Sequence, residues 1–248
     1  MLTAVSPLLR QYSRTENPNP PTHLGTRYDT AGTFLPEPGN TVVCHLEAGS
    51  PTEAALIDAR ARFLGMPEAR NLAFTPVSSL HMTLFQGIIE GRRAAPFWPS
   101  DLPLDTPIAE MTALMLERLK PYDGGPQFKV QVTDALPTGL KLDGATAADR
   151  QALRDWRDAF AEILGYRHPD HDDYVFHITF SYVIARFDDA ALPAWQQMLD
   201  EVVRDIAARA PVLELRPPAF CAFEDMNHFE ELWVFERAFP RQPPLPQG

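Results

Sequence analysis

Two short segments have the residue types and spacing needed for proton transfer at a phosphorus centre: Leu80-His81-Met82-Thr83-Leu84 and Phe176-His177-Ile178-Thr179-Phe180. In each, a histidine and a threonine stand at i and i+2 with apolar residues around them, the period-two pattern of a half-buried β-strand. On a strand the imidazole and the hydroxyl share one face, about 6.6 Å apart, while the apolar neighbours hold the other face in a core. Displacement at a phosphodiester needs a base at the attacking oxygen, an acid at the leaving oxygen, and donors for the non-bridging oxygens. Histidine, with an ordinary pKa near 6.5, can fill either proton role close to neutral pH. Threonine hydroxyls can bond phosphate oxygens as charge redistributes in the transition state. His81 and His177 are therefore the candidate acid/base pair, and Thr83 and Thr179 the candidate phosphate-binding residues. Of seven histidines only these two have Ser or Thr at i+2. Ordinary residue frequencies would produce such a pair about once in a hundred chains, so the pair is read as functional.

The elements that must hold these strands follow along the chain. Residues 41–46 read as a strand. Ser50-Pro51-Thr52-Glu53 opens a helix, with Ser50 able to cap, Pro51 suited to the first position and Glu53 able to close a capping box; Leu56, Ile57 and Phe63 are its apolar residues and Gly65 its end. Alternation over 80–89 predicts a strand with Ser79, His81, Thr83 and Phe85 on one side. A helix follows Thr106-Pro107, and 128–132 and 140–142 are short strands. Thr146 with Asp149 caps a helix striped by Leu153, Trp156, Phe160 and Ile163. Residues 173–183 alternate again, a helix spans about 189–209, and strands at 212–223 and 229–235 follow.

Laid side by side, the halves share an order of helix, His-x-Thr strand, helix, strand, strand, with the histidines 96 residues apart. The expectation is an α+β chain: a bilobed duplicated fold with two antiparallel or mixed sheets and flanking helices around a central cleft. Residues 1–40 would be an irregular segment packed on the body, 41–145 the first lobe, 146–237 the second and 238–248 a Pro-rich tail, with the lobes forming one structural domain. A single mixed sheet with a coincidental order is the alternative.

At 248 residues and 45% apolar, the chain can bury a sizeable core. Its net charge of −11 and its scarcity of lysine (Lys120, Lys129 and Lys141) argue against a broad positive stripe for long nucleic acid. A small phosphorylated molecule, or a short RNA end, needs only one or two local cations. No apolar run approaches the roughly 20 residues that span a bilayer, and the first residues lack a secretory pattern, so no membrane partner is expected and the cytoplasm is the expected compartment. Cys44 and Cys221 sit in apolar strand-like contexts and read as buried free thiols.

Through its two motifs the sequence resembles the two-histidine (2H) phosphoesterase superfamily, which includes the RNA 2'-5' ligase-like proteins and cyclic nucleotide phosphodiesterases. The signature of that superfamily is a pair of apolar-His-x-Thr/Ser-apolar motifs, one per lobe. The resemblance covers about 41–235 and is nearest to a bacterial branch, with Gly39-Asn40-Thr41 leading into the first strand. It implies a bilobed duplicated fold, no required metal or cofactor, and hydrolysis or reverse ligation of phosphoesters, often a 2',3'-cyclic phosphate. It also implies His81 and His177 as acid and base and Thr83 and Thr179 as phosphate-oxygen donors, without a direction for the proton transfers. The acidic balance departs from what RNA-processing relatives would show and points to a small substrate.

Further candidates are local. Ser181 and Phe85 extend the two histidine faces and could offer a hydroxyl and a surface for a base or sugar. Lys129, Lys141, Arg27 and Arg186 could supply positive charge, and Tyr28 or Trp98 could stack on a ligand. His168-Pro169-Asp170-His171-Asp172-Asp173 reads as a solvated turn rather than a metal cluster. His45 and His228 could line the cleft, and a carboxylate from Glu224, Asp225, Glu230 or Glu231 could orient an imidazole. Residues 91–105 could form a lid or pack against a lobe. The favoured reading is a metal-independent phosphoesterase acting on a small nucleotide-like cyclic phosphate or phosphodiester. A phosphate-binding module with little turnover and a metal-dependent hydrolase are the alternatives.

Overall fold

In the computed structural model, which describes residues 4–236, the elements run in chain order α1 (Pro7–Arg10), β1 (Gly39–His45), α2 (Pro51–Leu64), β2 (Leu72–Phe74), β3 (His81–Ile89), α3 (Ile108–Leu119), β4 (Val130–Leu136), β5 (Gly139–Gly144), α4 (Ala147–Leu164), β6 (His177–Thr179), β7 (Ser181–Val183), α5 (Leu192–Arg209), β8 (Ala219–Phe223) and β9 (Glu230–Val234). The Pro-rich stretch at 238–248 lies outside the described residues. The helix starts obey their capping chemistry. Ser50 accepts from the Glu53 amide with Pro51 in the first turn, although the Glu53 carboxylate takes the Gly49 amide at 2.7 Å rather than closing the box on Ser50. Thr146 and Asp149 form a complete capping box, and Gly165 ends α4 with φ +79°.

The architecture is α+β, with a seven-stranded antiparallel sheet in the order β4-β5-β6-β3-β1-β8-β9 and a two-stranded sheet of β2 and β7. The chain crosses between halves. β4 and β5 pair onward to β6, while β8 and β9 return to β1. β3 and β6, which carry the two motifs, meet in the middle of the large sheet. One face of that sheet packs on the helices, burying Met82, Leu84 and Ile178 against Leu56, Phe63, Phe160 and Trp195. A smaller apolar layer on the other side gathers Val43, Ala219 and Phe223 with Tyr28 and Phe34 of the N-terminal segment. Both thiols are buried and divided between these layers, Cys44 in the first and Cys221 in the second; burial pushes both pKa values up.

Two departures from simple alternation shape the cleft. In β3, Thr83 pairs with Val43 but Phe85 with Val42, so Leu84 is an extra residue on that strand. Such a bulge turns the following side chain to the opposite face. Phe85, expected beside His81 and Thr83, is instead buried in the helix-side core. The carbonyl freed at Leu84 accepts from the buried Arg157 guanidinium at 2.8 Å. The second departure splits 173–183. β6 pairs with β3 and β5, but β7 leaves them to pair with β2, and the amides of both Phe180 and Ser181 turn to the Thr138 carbonyl. Phe180 and Ser181 are both buried, and Tyr182 turns to the cleft, away from the face expected for it. Residues 212–223 are strand only from Ala219, after Pro217-Pro218, and Ile57 faces outward.

Gly139 begins β5 with φ +143°, opposite Thr179, and a Cβ there would collide with the Ile178 carbonyl oxygen. Gly139→Ala should therefore lower the unfolding free energy by on the order of 2 kcal/mol or more, read from the denaturant midpoint. An unchanged midpoint would contradict the close approach of β5 to β6.

Candidate active site

The geometry of the site begins with one backbone register. Met82 pairs with Ile178 in the antiparallel β3–β6 ladder, so His81 lies opposite Thr179 and Thr83 opposite His177. Facing pairs of this kind have Cβ atoms about 5 Å apart, and the diagonal between the histidines is about 7 Å. Each imidazole thus neighbours the hydroxyl of the other motif. Neighbouring strands extend the rows: Lys141 flanks His177, Gly139 flanks Thr179, Val43 flanks Thr83 and His45 flanks His81. Both histidines and both threonines line one cavity of about 220 Å³.

The two rings are held in the same way. His81 Nδ1 lies 2.6 Å from the Ser79 carbonyl oxygen and His177 Nδ1 lies 2.9 Å from that of Val175, the residue two positions earlier in each case. A carbonyl only accepts, so each neutral ring carries its proton on Nδ1 and keeps the Nε2 lone pair free. Backbone therefore orients both imidazoles, and the carboxylates near the site do other work. Glu231 lies 3.0 Å from His45 Nδ1 and is paired with Arg216; the His45 ring stands edge-on to His81 with centroids 6.0 Å apart. Although its edge opens to the cavity, the His81 ring sits under Phe229, centroids 4.2 Å apart. Burial pushes its pKa down to about 3, helped by the nearby His45 and His177 and opposed by the bond to Ser79.

A family model described as 2H-phosphodiest, a domain of unknown function (DUF1868), matches residues 27–141, a span that contains the first motif. The chain belongs to the 2H phosphoesterase superfamily. It is also similar over its length to a crystal structure, that of the conserved protein of unknown function ATU0111 from Agrobacterium tumefaciens str. C58. The two are 56% identical, with 93% of this chain and 100% of that chain covered and a TM-score of 0.92. Comparison with curated proteins found no match.

The remaining candidates in this 2H chain separate by position. Arg27 lines the cavity, and Lys141 lines an adjoining, mostly apolar groove that shares His177 and Thr179. The others lie elsewhere. Ser181 is fully buried and its hydroxyl donates to the Pro137 carbonyl, because the strand switches sheets there. Phe85 packs on Phe160 and Tyr166, a result of the bulge. Tyr28 is a core residue whose hydroxyl donates to the Val183 carbonyl, Trp98 is buried with Nε1 donating to Pro103, and Arg186 reaches the Asn19 carbonyl outside the cavity. Lys129 lies at a separate groove, with its amide on Asp149. Sequence reasoning passed over Arg92, His23, Phe223 and Phe229 of the cavity wall, which come from turns and distant strands where spacing carries no signal, and alternation over 173–183 placed Tyr182 on the face opposite His177. Among the described residues, no three His, Cys, Asp or Glu side chains group as a metal-ligand set, and no helix is long and apolar enough to cross a membrane.

The turn at 168–173 is also corrected. His168 and His171 are buried, packed against Phe85, with Phe97 and Tyr166 on His168; both nitrogens of His168 lack hydrogen-bond partners, whereas His171 Nε2 lies 3.0 Å from Asp158. Burial, with Arg92 nearby, pushes the His168 pKa down to about 4. A histidine whose folded pKa is lowered binds protons better when unfolded, so its contribution to stability is complete above about pH 6.5 and is lost as the pH falls toward its folded pKa. Chemical denaturation should show stability falling from pH 7 to 4 by up to about 1.4 kcal/mol per pH unit for each such histidine. His168→Phe, which suits the aromatic surroundings, should flatten that slope; an unaltered slope would show that His168 is not buried neutral.

Proposed function

We propose that this 2H phosphoesterase chain is a metal-independent enzyme that hydrolyses a small nucleotide-like phosphodiester, with a 2',3'-cyclic phosphate as the favoured substrate. The observation that carries the reading is the crossed arrangement of His81 with Thr179 and His177 with Thr83, each imidazole fixed by a backbone carbonyl with Nε2 free. The threonine hydroxyls can donate to phosphate oxygens, an imidazole gains an Nε2 donor when it is protonated, and among the described residues the cavity lining has no carboxylate of the kind that magnesium or calcium prefers. In this reading the two threonine hydroxyls bond the non-bridging oxygens. His81, held neutral by burial, accepts a proton from water as its oxygen attacks phosphorus. His177, which must enter this step carrying a second proton on Nε2, donates that proton to the departing ribose oxygen, leaving a phosphomonoester and one free hydroxyl. Tyr182, Phe223 and Phe229 in the cavity wall offer aromatic surface for a base, which supports a nucleotide over a bare phosphodiester. The cytoplasm is the compartment proposed for this activity.

Replacing His81 or His177 with Ala should lower turnover of 2',3'-cyclic nucleotides by two to four orders of magnitude, and chelators should leave the wild-type rate unchanged. Near-normal turnover in either folded variant would remove the mechanism, and binding without turnover in the wild type would replace it with the binding-module reading. Because the base is active when unprotonated and its pKa is depressed, the acid limb of the kcat/KM profile should fall below the ordinary histidine value near 6.5. The apparent values belong to the coupled pair. An acid limb at 6.5 or above would contradict the assignment of His81 as base.

A further inference from the structure

The cavity continues past the crossed His–Thr groups, and its far part is built of positive charge. Beyond Thr83, β3 runs through Gln86 and Ile89 into the turn that holds Arg92, and all four residues line the same cavity. Thr83 and Ile89 pair with Val43 and Gly39, four steps apart on β1, so the two ends of this stretch lie about 13 Å apart along the ladder. Arg27 enters from the N-terminal segment. Among the described residues, no Asp or Glu lines this cavity, in a chain whose net charge is −11. The two guanidinium groups are fixed differently. Arg27 donates from Nε to Glu37 at 2.6 Å and lies 5.5 Å from the centre of the Tyr182 ring. Arg92 lies 4.5 Å from the centre of the Phe97 ring, makes no ion pair among the described residues, and has a buried Nε with no hydrogen-bond partner.

A half-buried guanidinium without an anion bears a desolvation cost that a phosphate would relieve, and the planar fork of arginine matches phosphate oxygens. A phosphorus seated between His81 and His177 would stand at one end of this stretch, and the turn that carries Arg92 follows the other end. We propose that Arg27 and Arg92 form a second anion subsite, so that the substrate is a small phosphodiester bearing a further phosphate group on the order of 10 Å from the reacting phosphorus. This rests on reading the crossed His–Thr groups as the phosphodiester site. Glu37 keeps Arg27 in place without neutralising the pair, and Arg92 is the member free to bind.

The test uses adenosine 2',3'-cyclic phosphate with and without a 5'-diphosphate. Calorimetric binding is measured on the His81→Ala/His177→Ala protein, which does not consume either probe. The diphosphate compound should bind at least about tenfold tighter, an advantage that shrinks as ionic strength rises. Adding Arg92→Gln should cut the advantage to about threefold or less, whereas Arg92→Lys, which retains the charge, should keep part of it. Equal affinity for the two probes, or an advantage insensitive to both salt and Arg92→Gln, would overturn the subsite. Wild-type turnover of the same probes separates the two readings. Turnover of both without preference for the diphosphate sinks the subsite alone. Preference in binding with turnover of neither sinks the phosphoesterase reading and leaves the subsite standing.

Discussion

The antiparallel contact of β3 with β6, centred on Met82 and Ile178, is the constraint on which the rest of the molecule depends. Only three residues of β6 form strand, so the pairing is short, and it is held mainly by what flanks it: β5 on one side, β1 on the other, and the helix-side core under Met82 and Ile178. A shift of one residue would send His81 and Thr83 into that core and bring Met82 to the cleft. Burial of the apolar residues between each histidine and threonine therefore enforces the register that crosses the two motifs.

Around that contact, irregular backbone decides which other side chains reach the cleft. The bulge at Leu84 removes Phe85 from the histidine face, and the buried Arg157 satisfies the carbonyl the bulge leaves unpaired. The same guanidinium lies 4.1 Å from the centre of the Tyr174 ring, and Tyr174 lines the cavity, so Arg157 supports the β3 floor and part of the wall. On the other strand, the passage from β6 to β7 buries Ser181 and brings Tyr182 to the cleft. Both departures narrow the reactive surface to two imidazoles and two hydroxyls and leave aromatic and cationic groups at its margins.

Charge is distributed against the overall balance of the chain. An acidic surface repels long polyanions, while the cavity wall, with Arg27 and Arg92 and no carboxylate among the described residues, is attractive at short range. Screening in solution makes these compatible: the field of a distant surface carboxylate decays within about 8 Å of physiological electrolyte, whereas groups inside the cleft act on one another with little water between them. This combination is the charge distribution that the proposed small anionic substrate would need.

How much of this was legible in the sequence follows from how local each feature is. The His-x-Thr strands, the Ser50 and Thr146 helix starts, the Gly165 stop and the α+β class depend on spacing within a few residues, and spacing is written in the chain. Lys141 and Arg27 could be offered only as charges, and the cleft now holds one and the adjoining groove the other, whereas Lys129 and Arg186 were equally good by the same criterion and lie elsewhere. Phe85 and Ser181 failed because a period of two assumes an unbroken ladder, and a bulge or a change of partner strand is a tertiary event. His168 and His171 looked solvated because a turn rich in Asp is polar by composition, yet their rings fill space left between Phe85 and its neighbours. By itself, then, the sequence determined which groups could do chemistry and that each histidine shares a face with the threonine of its own motif. Tertiary structure alone decided that His81 meets Thr179, that Arg92 shares their cavity, and that backbone carbonyls set both tautomers, because each is a contact between segments whose separation in the chain leaves no periodic trace.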